Sequence, residues 1–230
     1  VRSASWIRDV RAYVEFKTSP IELLAEVLGE LGLEDAHIGI ELKYLVASYY
    51  RELMERLPGV KLSGCEELFD RVRMIKTTGE IALLVHAARA TEKALMATYS
   101  TIQPGETEKS MANRLAASIM HCGADKVKHL YINAGPNTGF PHMEPGAYAV
   151  KRGDLVKTDC GGSFTEYLSD IARTAVVGSP SAEQRSVYHR LMEVHRGTID
   201  KLRPGNRASD VFNTAKSLYA KVDIPFPLPH

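Results

Sequence analysis

Two Pro-Gly pairs, Pro104-Gly105 and Pro204-Gly205, punctuate the chain 100 residues apart, each between two runs of helical periodicity. Proline lacks the N–H that a helix interior needs and glycine opens left-handed backbone, so each pair ends one helix and redirects the chain into the next. Before the first pair, Thr77-Thr78-Gly79-Glu80 offers a Thr-x-x-Glu capping box. It is followed by a long amphipathic run with Ile81, Leu84, Val85, Ala88, Leu95 and Met96 on one stripe. After the pair, a second helix is expected over 107–122, closed by Gly123. The second pair repeats the scheme. Ser181-Ala182-Glu183-Gln184 caps a helix carrying Val187, Leu191, Val194 and Leu202, and another runs through Val211, Phe212, Ala215 and Leu218. This repetition predicts a duplicated domain, against the alternative of two independent helix–turn–helix devices.

Between the helical pairs the pattern turns to strands: Tyr131 to Gly135, Leu155 to Cys160, and Tyr167 to Val177. Helices flanking a largely antiparallel sheet make this part α+β. The first third reads differently. Residues 20–31 have helical spacing behind Ser19-Pro20, with Gly32 as the stop; His37 to Leu42 predicts a short strand; a helix over 44–57 ends at Pro58-Gly59. That alternation indicates a small α/β unit with a partly parallel sheet, and none of its residues forms a chemical cluster. A boundary is expected where the chain turns basic at Arg71-Val72-Arg73-Met74-Ile75-Lys76, giving domains 1–73 and 74–230.

With 44% hydrophobic and 25% charged residues in 230, collagen-like and disordered chains are excluded. A formal charge of +1 gives no pull toward nucleic acid or an anionic membrane surface, and no run approaches the ~18 apolar residues of a membrane span. A soluble, cytoplasmic protein is the default expectation. Cys65, Cys122 and Cys160 are odd in number and never spaced C-x-x-C, which predicts buried reduced thiols. The chain starts at Val1 rather than Met and closes on Ile224-Pro225-Phe226-Pro227-Leu228-Pro229-His230, a stretch with no evident anchor. A piece of a longer protein, cut at both ends, is expected.

Chemistry concentrates in Asp159-Cys160-Gly161-Gly162-Ser163-Phe164-Thr165-Glu166-Tyr167-Leu168-Ser169-Asp170. Read as a hairpin turning at Gly161-Gly162-Ser163, with pairing symmetric about its middle, the segment sets Asp159 opposite Asp170. Their Cβ atoms would then lie ~5 Å apart on one face, where like charges repel. One or two divalent cations supply the counter-charge most economically, since carboxylate oxygens are hard ligands. A slip of one residue would separate them onto opposite faces, and solvated aspartates at hairpin ends are the alternative. His142 lies in a Gly-, Pro- and Asn-rich loop just upstream, where it could shuttle a proton or donate to a developing oxyanion; an exposed His without a role is the alternative. His86, His121, His129, His189 and His195 read as surface or packing residues on or beside helices, and His37 as an ordinary strand residue.

The run Leu155 to Gly162, taken with Tyr167-Leu168-Ser169-Asp170-Ile171-Ala172-Arg173-Thr174, resembles the D-x-G-G…Y-x-S-D-I-x-R-T signature of the M24 peptidases. This is the pita-bread family of methionine aminopeptidase, aminopeptidase P, prolidase and creatinase. Arg73-Met74-Ile75-Lys76, both Pro-Gly connections, and Ala134-Gly135-Pro136-Asn137 with His142 match as well. The unit before Arg73 resembles the rear part of a creatinase-type N-terminal domain, which favours the Xaa-Pro peptidase and creatinase branch. The resemblance implies a partial pita-bread domain and two divalent metals (Mn, Co or Zn) held by two Asp, one His and two Glu. Asp159 and Asp170 match the two Asp, and His142 matches the loop His near the substrate carbonyl. It further implies attack by a hydroxide bound between the metals, a peptide substrate with proline at the second position, and a homodimer. The family's His-Gly-x-Gly segment and its two Glu lie beyond the point where this chain stops; His230 is either the upstream His that precedes them or incidental.

Two alternatives accompany this reading. One is a creatinase-like, metal-independent C–N hydrolase that relies on His142. The other is a non-catalytic pita-bread binding module.

Overall fold

A computed structural model describes residues 5–227, so Val1 and His230 lie outside the described residues. The chain forms two compact units that part between Thr77 and Thr78.

In the first unit α1 (Pro20–Glu30) starts on proline, with the Ser19 hydroxyl accepting from the Ile21 N–H. β1 (His37–Ile40) and β2 (Lys61–Gly64) pair in parallel, connected through α2 (Ala47–Arg56). Ile21, Leu53, Leu57 and Val60 form a small buried core. β2 and α3 (Glu66–Met74) escape the sequence pattern for a physical reason. β2 shields only Leu62, and α3 buries no residue, so neither carries a periodic apolar signal.

The second unit is helices on an antiparallel sheet. α4 (Thr78–Tyr99) and α5 (Glu108–His121) precede β3 (Lys126–Ala134), β4 (Leu155–Phe164), β5 (Tyr167–Leu168) and β6 (Ile171–Val176). β4 is central, pairing antiparallel with β3 on one side and with β5 and β6 on the other. α6 (Ala182–Ile199) and α7 (Ala208–Lys221) follow, and the capping box at Ser181 and Gln184 is formed. The two Pro-Gly connections adopt one geometry. Gly105 and Gly205 both have φ of 93°, and the Glu106 N–H donates to Gln103 O as the Asn206 N–H does to Arg203 O, each at 3.1 Å. Proline second and positive-φ glycine third make both type II turns.

Four expectations need correction. On α4 the buried face is Ala87, Ala90, Thr91, Ala94, Leu95 and Thr98, whereas Ile81 and Met96 are about half exposed. Small side chains let the helix axis approach Cys160 and Phe164 of β4, so of the expected stripe Leu95 lies in the core while Ile81, Val85 and Met96 are exposed. Among the cysteines only Cys160 is buried. The hairpin turns not at Gly161-Gly162-Ser163, which lies inside β4, but at Thr165-Glu166, both at positive φ (52° and 66°). At the other end, Phe226 is anchored edge-on against Phe212 and Tyr219, ring centroids 5.3 Å away in each case.

Candidate metal centre

The turn at Thr165-Glu166 fixes the register of everything before and after it. Phe164 pairs with Tyr167, Cys160 with Ile171, and Asp159 with Ala172 rather than with Asp170. The register is thus two residues from the symmetric one. An even shift preserves the face, so Asp159 and Asp170 still share it, now as diagonal neighbours whose Cβ atoms would lie somewhat under ~7–8 Å apart.

On the other side of β4, Tyr131 pairs with Asp159 and His129 with Gly161, so the same face presents His129 and Tyr131. The His129 Nε2 lies 3.1 Å from Asp159 Oδ1 and 3.6 Å from Asp170 Oδ1. Donor atoms of all three lie within 4.8 Å of one another. His129, read from sequence as a helix-side packing residue, is therefore part of the cluster. β3 begins at Lys126, five residues ahead of the expected strand, and the signal for it is weak, with Val127 and Leu130 set among Lys126, Lys128 and His129.

Neighbouring residues hold these side chains in place. Ser169, buried beside Asp170, accepts from the Gly162 N–H at 2.9 Å and pairs with the Thr91 hydroxyl at 2.7 Å. Asp170 itself projects outward, its side chain 81% exposed. Gly161 lies between His129 and Asp170. A Cβ there would fall 2.6 Å from His129 Cε1 and 2.1 Å from the Ser169 carbonyl oxygen, so only glycine permits this approach. Cys160 points to the opposite, buried face; burial first, then the charges of Asp159 and Asp170, push its thiol up to about 12. It is inert as a nucleophile at neutral pH.

His142 reaches the same aspartate from the loop after β3. Its Nε2 lies 3.6 Å from Asp159 Oδ2, and its ring lies against Tyr131, centroids 5.1 Å apart. The loop is pinned at both ends by Glu108, the first residue of α5, which is wholly buried. Glu108 Oε1 accepts from the Ala134 N–H at 2.8 Å and the Asn137 amide at 3.0 Å, and Oε2 accepts from the Gly146 N–H at 2.9 Å. Lys157 Nζ also donates to the Phe140 carbonyl. Nothing in the sequence spacing singled out Glu108; its role exists only once the loop has closed over the start of α5.

Two carboxylates and an imidazole on one sheet face fit a divalent cation of the Mn, Co or Zn kind. Helices packed over a β4-centred antiparallel sheet that presents such a donor set make a candidate metal-binding domain. Residues 82–227 match the model of metallopeptidase family M24, and residues 1–75 match the creatinase/prolidase N-terminal domain. The chain belongs to metallopeptidase family M24, with the pita-bread fold and a creatinase-type N-terminal domain. It is 31% identical over 154 residues to the Xaa-Pro dipeptidase of Pyrococcus furiosus, covering 66% of this chain and 44% of that protein. It is 29% identical over 185 residues to the Xaa-Pro dipeptidase of Pyrococcus horikoshii, covering 80% and 52%. The crystal structure of recombinant prolidase from Thermococcus sibiricus superposes with a TM-score of 0.81 at 27% identity, over 90% of this chain and 56% of that one. The chain thus spans about half the length of these relatives. Among the described residues, no helix is long and apolar enough to cross a membrane.

Proposed function

We propose that the protein is a metal-dependent Xaa-Pro peptidase of the prolidase or aminopeptidase P kind. In this reading residues 1–73 are the rear of its N-terminal domain and residues 74–230 the first part of its catalytic domain. The observation that carries it is the convergence of Asp159 and Asp170 on one sheet face beside His129. Two divalent cations, Mn, Co or Zn, are the cofactors of this reading, with Asp159 and Asp170 among their ligands. When bound, they would polarise a peptide carbonyl and make water a better nucleophile at neutral pH.

The chain's own residues do the rest. Asp159 presents Oδ1 toward His129 and Oδ2 toward His142, so the carboxylate is oriented from both sides. His142, on its pinned loop and against Tyr131, is placed to hold or move a proton at the substrate carbonyl or leaving nitrogen. The similarity to two Xaa-Pro dipeptidases supports a peptide substrate with proline after the scissile bond.

The test is hydrolysis of a panel of Xaa-Pro dipeptides and longer Xaa-Pro peptides by the metal-stripped full-length protein, before and after adding Mn2+ or Co2+. Activity that returns with the cation and disappears in Asp159→Asn is the expected result. Neither bound cation nor hydrolysis across the panel would sink the reading. Cleavage of a guanidino compound that persists under chelation and needs His142 would replace it with the creatinase-like alternative.

A further inference from the structure

The third donor in the cluster comes from a strand that the family resemblance does not enlist. That resemblance assigns metal binding to two Asp and to a His and two Glu downstream, whereas His129 lies upstream of both aspartates on β3. We propose that His129 is itself a ligand, through Nε2, to one of the cations held by Asp159 and Asp170, adding a donor from β3 to those of β4 and the residue entering β6. The proposal rests on the reading of this face as metal-binding and adds a specific ligand to it.

Three observations converge. The first is spacing. Metal–ligand bonds of ~2.1 Å place neighbouring donors about 3.0 Å apart in an octahedron and about 3.4 Å apart in a tetrahedron. His129 Nε2 stands 3.1 Å from Asp159 Oδ1, a hydrogen-bond distance, and 3.6 Å from Asp170 Oδ1, too long for a hydrogen bond, and both separations are close to those a shared ion would set. The second is the glycine. Gly161, opposite His129 in the register, leaves the gap into which the imidazole edge fits, and a methyl group there would collide with the ring. The third is the division of labour around Asp159. His129 is 24% exposed and faces Oδ1, while His142 is 63% exposed and faces Oδ2. The shielded imidazole is the one that also approaches Asp170; the open one faces solvent, where a substrate would arrive. An imidazole nitrogen added to two carboxylates turns an oxygen-only pair, suited to Mg2+ or Ca2+, into a mixed set preferring Mn2+, Co2+ or Zn2+.

The experiment is cation binding by the metal-stripped 230-residue chain, followed by the visible absorption of Co2+, with Mg2+ as competitor. The expected result is Co2+ binding by the parent that is weakened about ten-fold or more in His129→Gln and in His129→Asn, and that Mg2+ displaces poorly. His121→Gln, at the end of α5, should bind as the parent does. Cd2+-loaded, 15N-labelled chain should show one-bond 113Cd–15N coupling at the His129 Nε2, which a histidine merely hydrogen-bonded to Asp159 cannot give. Parent-like Co2+ affinity in both His129 variants, or absence of that coupling in a chain that binds Cd2+, overturns the role of His129 and leaves the aspartate reading standing. If Asp159→Asn binds Co2+ like the parent, or the parent binds none, the metal reading falls as well.

Discussion

Replacing Glu108 tests whether a buried carboxylate, rather than the loop's own sequence, holds His142 over the sheet. The carboxylate has no exposure and accepts three N–H groups, from Ala134, Asn137 and Gly146, which bracket the loop carrying His142. In Glu108→Ala all three donors lose their acceptor. Ala134 is fully buried and water does not reach it, so its orphaned N–H costs about 1–3 kcal/mol. Asn137 and Gly146 are half-buried and recover part of theirs from solvent, about 1 kcal/mol lost at each. Against this stands relief of the desolvation that a buried charge suffers. The net expectation is a loss of about 2–4 kcal/mol, a large share of the roughly 5–15 kcal/mol available to a domain.

Glu108→Gln is the sharper variant because it keeps shape and changes only one contact. Its amide oxygen can take the place of Oε1, which serves two donors, leaving an NH2 facing the Gly146 N–H. The loss should be about 1–2 kcal/mol and confined to the Gly146 end. Urea denaturation gives the magnitude and native-state hydrogen exchange gives the place: the Gly146 amide should exchange faster while Ala134 stays protected. Unchanged exchange at Gly146, or equal acceleration at both ends, would refute the argument that the two carboxylate oxygens divide the loop between them.

Further expectations follow from single contacts. Gly161→Ala forces a methyl group against the Ser169 carbonyl and the His129 ring, so it should cost about 1–3 kcal/mol and lower the melting temperature by several degrees, with no gain from its better strand propensity. Thr165→Asn combined with Glu166→Gly matches the residues to the positive φ at both turn positions and should raise stability by on the order of 1 kcal/mol in urea titrations; a loss would mean the turn is not of the I′ kind. Ser19→Ala removes both the cap on α1 and the hydroxyl donating to Glu52 at 2.6 Å. The Ser19 hydrogen bond, then the Arg56 interactions, hold the Glu52 carboxyl below its ordinary range, so its stabilisation is present above the unfolded pKa and fades as pH falls through the folded one. In the variant Glu52 should titrate at higher pH by NMR. Cys160 should resist thiol reagents at pH 8 until the chain is denatured, since burial holds it as the thiol; labelling in the native state would contradict its placement.

How much of the site was legible comes down to parity. The hairpin reading mistook Gly161-Gly162-Ser163 for the turn because glycine is the usual sign of one, whereas here glycine serves a close approach and the turn is made by Thr165 and Glu166. The error shifted the register by two, and a period-two structure forgives even errors. The two aspartates therefore stayed on one face although their partners were wrong. His129 was lost to a different cause. The expected strand begins at Tyr131, and the five residues before it, with Lys126, Lys128 and His129 among them, carry too few apolar positions to extend it. A bulge between Val127 and His129 compounds this by breaking the pairing where the strand begins. Yet parity within a strand does not depend on where the strand starts, and Tyr131 lies opposite Asp159. Residue 129 must then share that face, and with Gly161 opposite it, its side chain has nothing between it and Asp170. The loop is the part no local pattern could yield: Glu108 precedes His142 by an entire helix and strand, and their relation arises only when the sheet brings Ala134 and Gly146 to the start of α5.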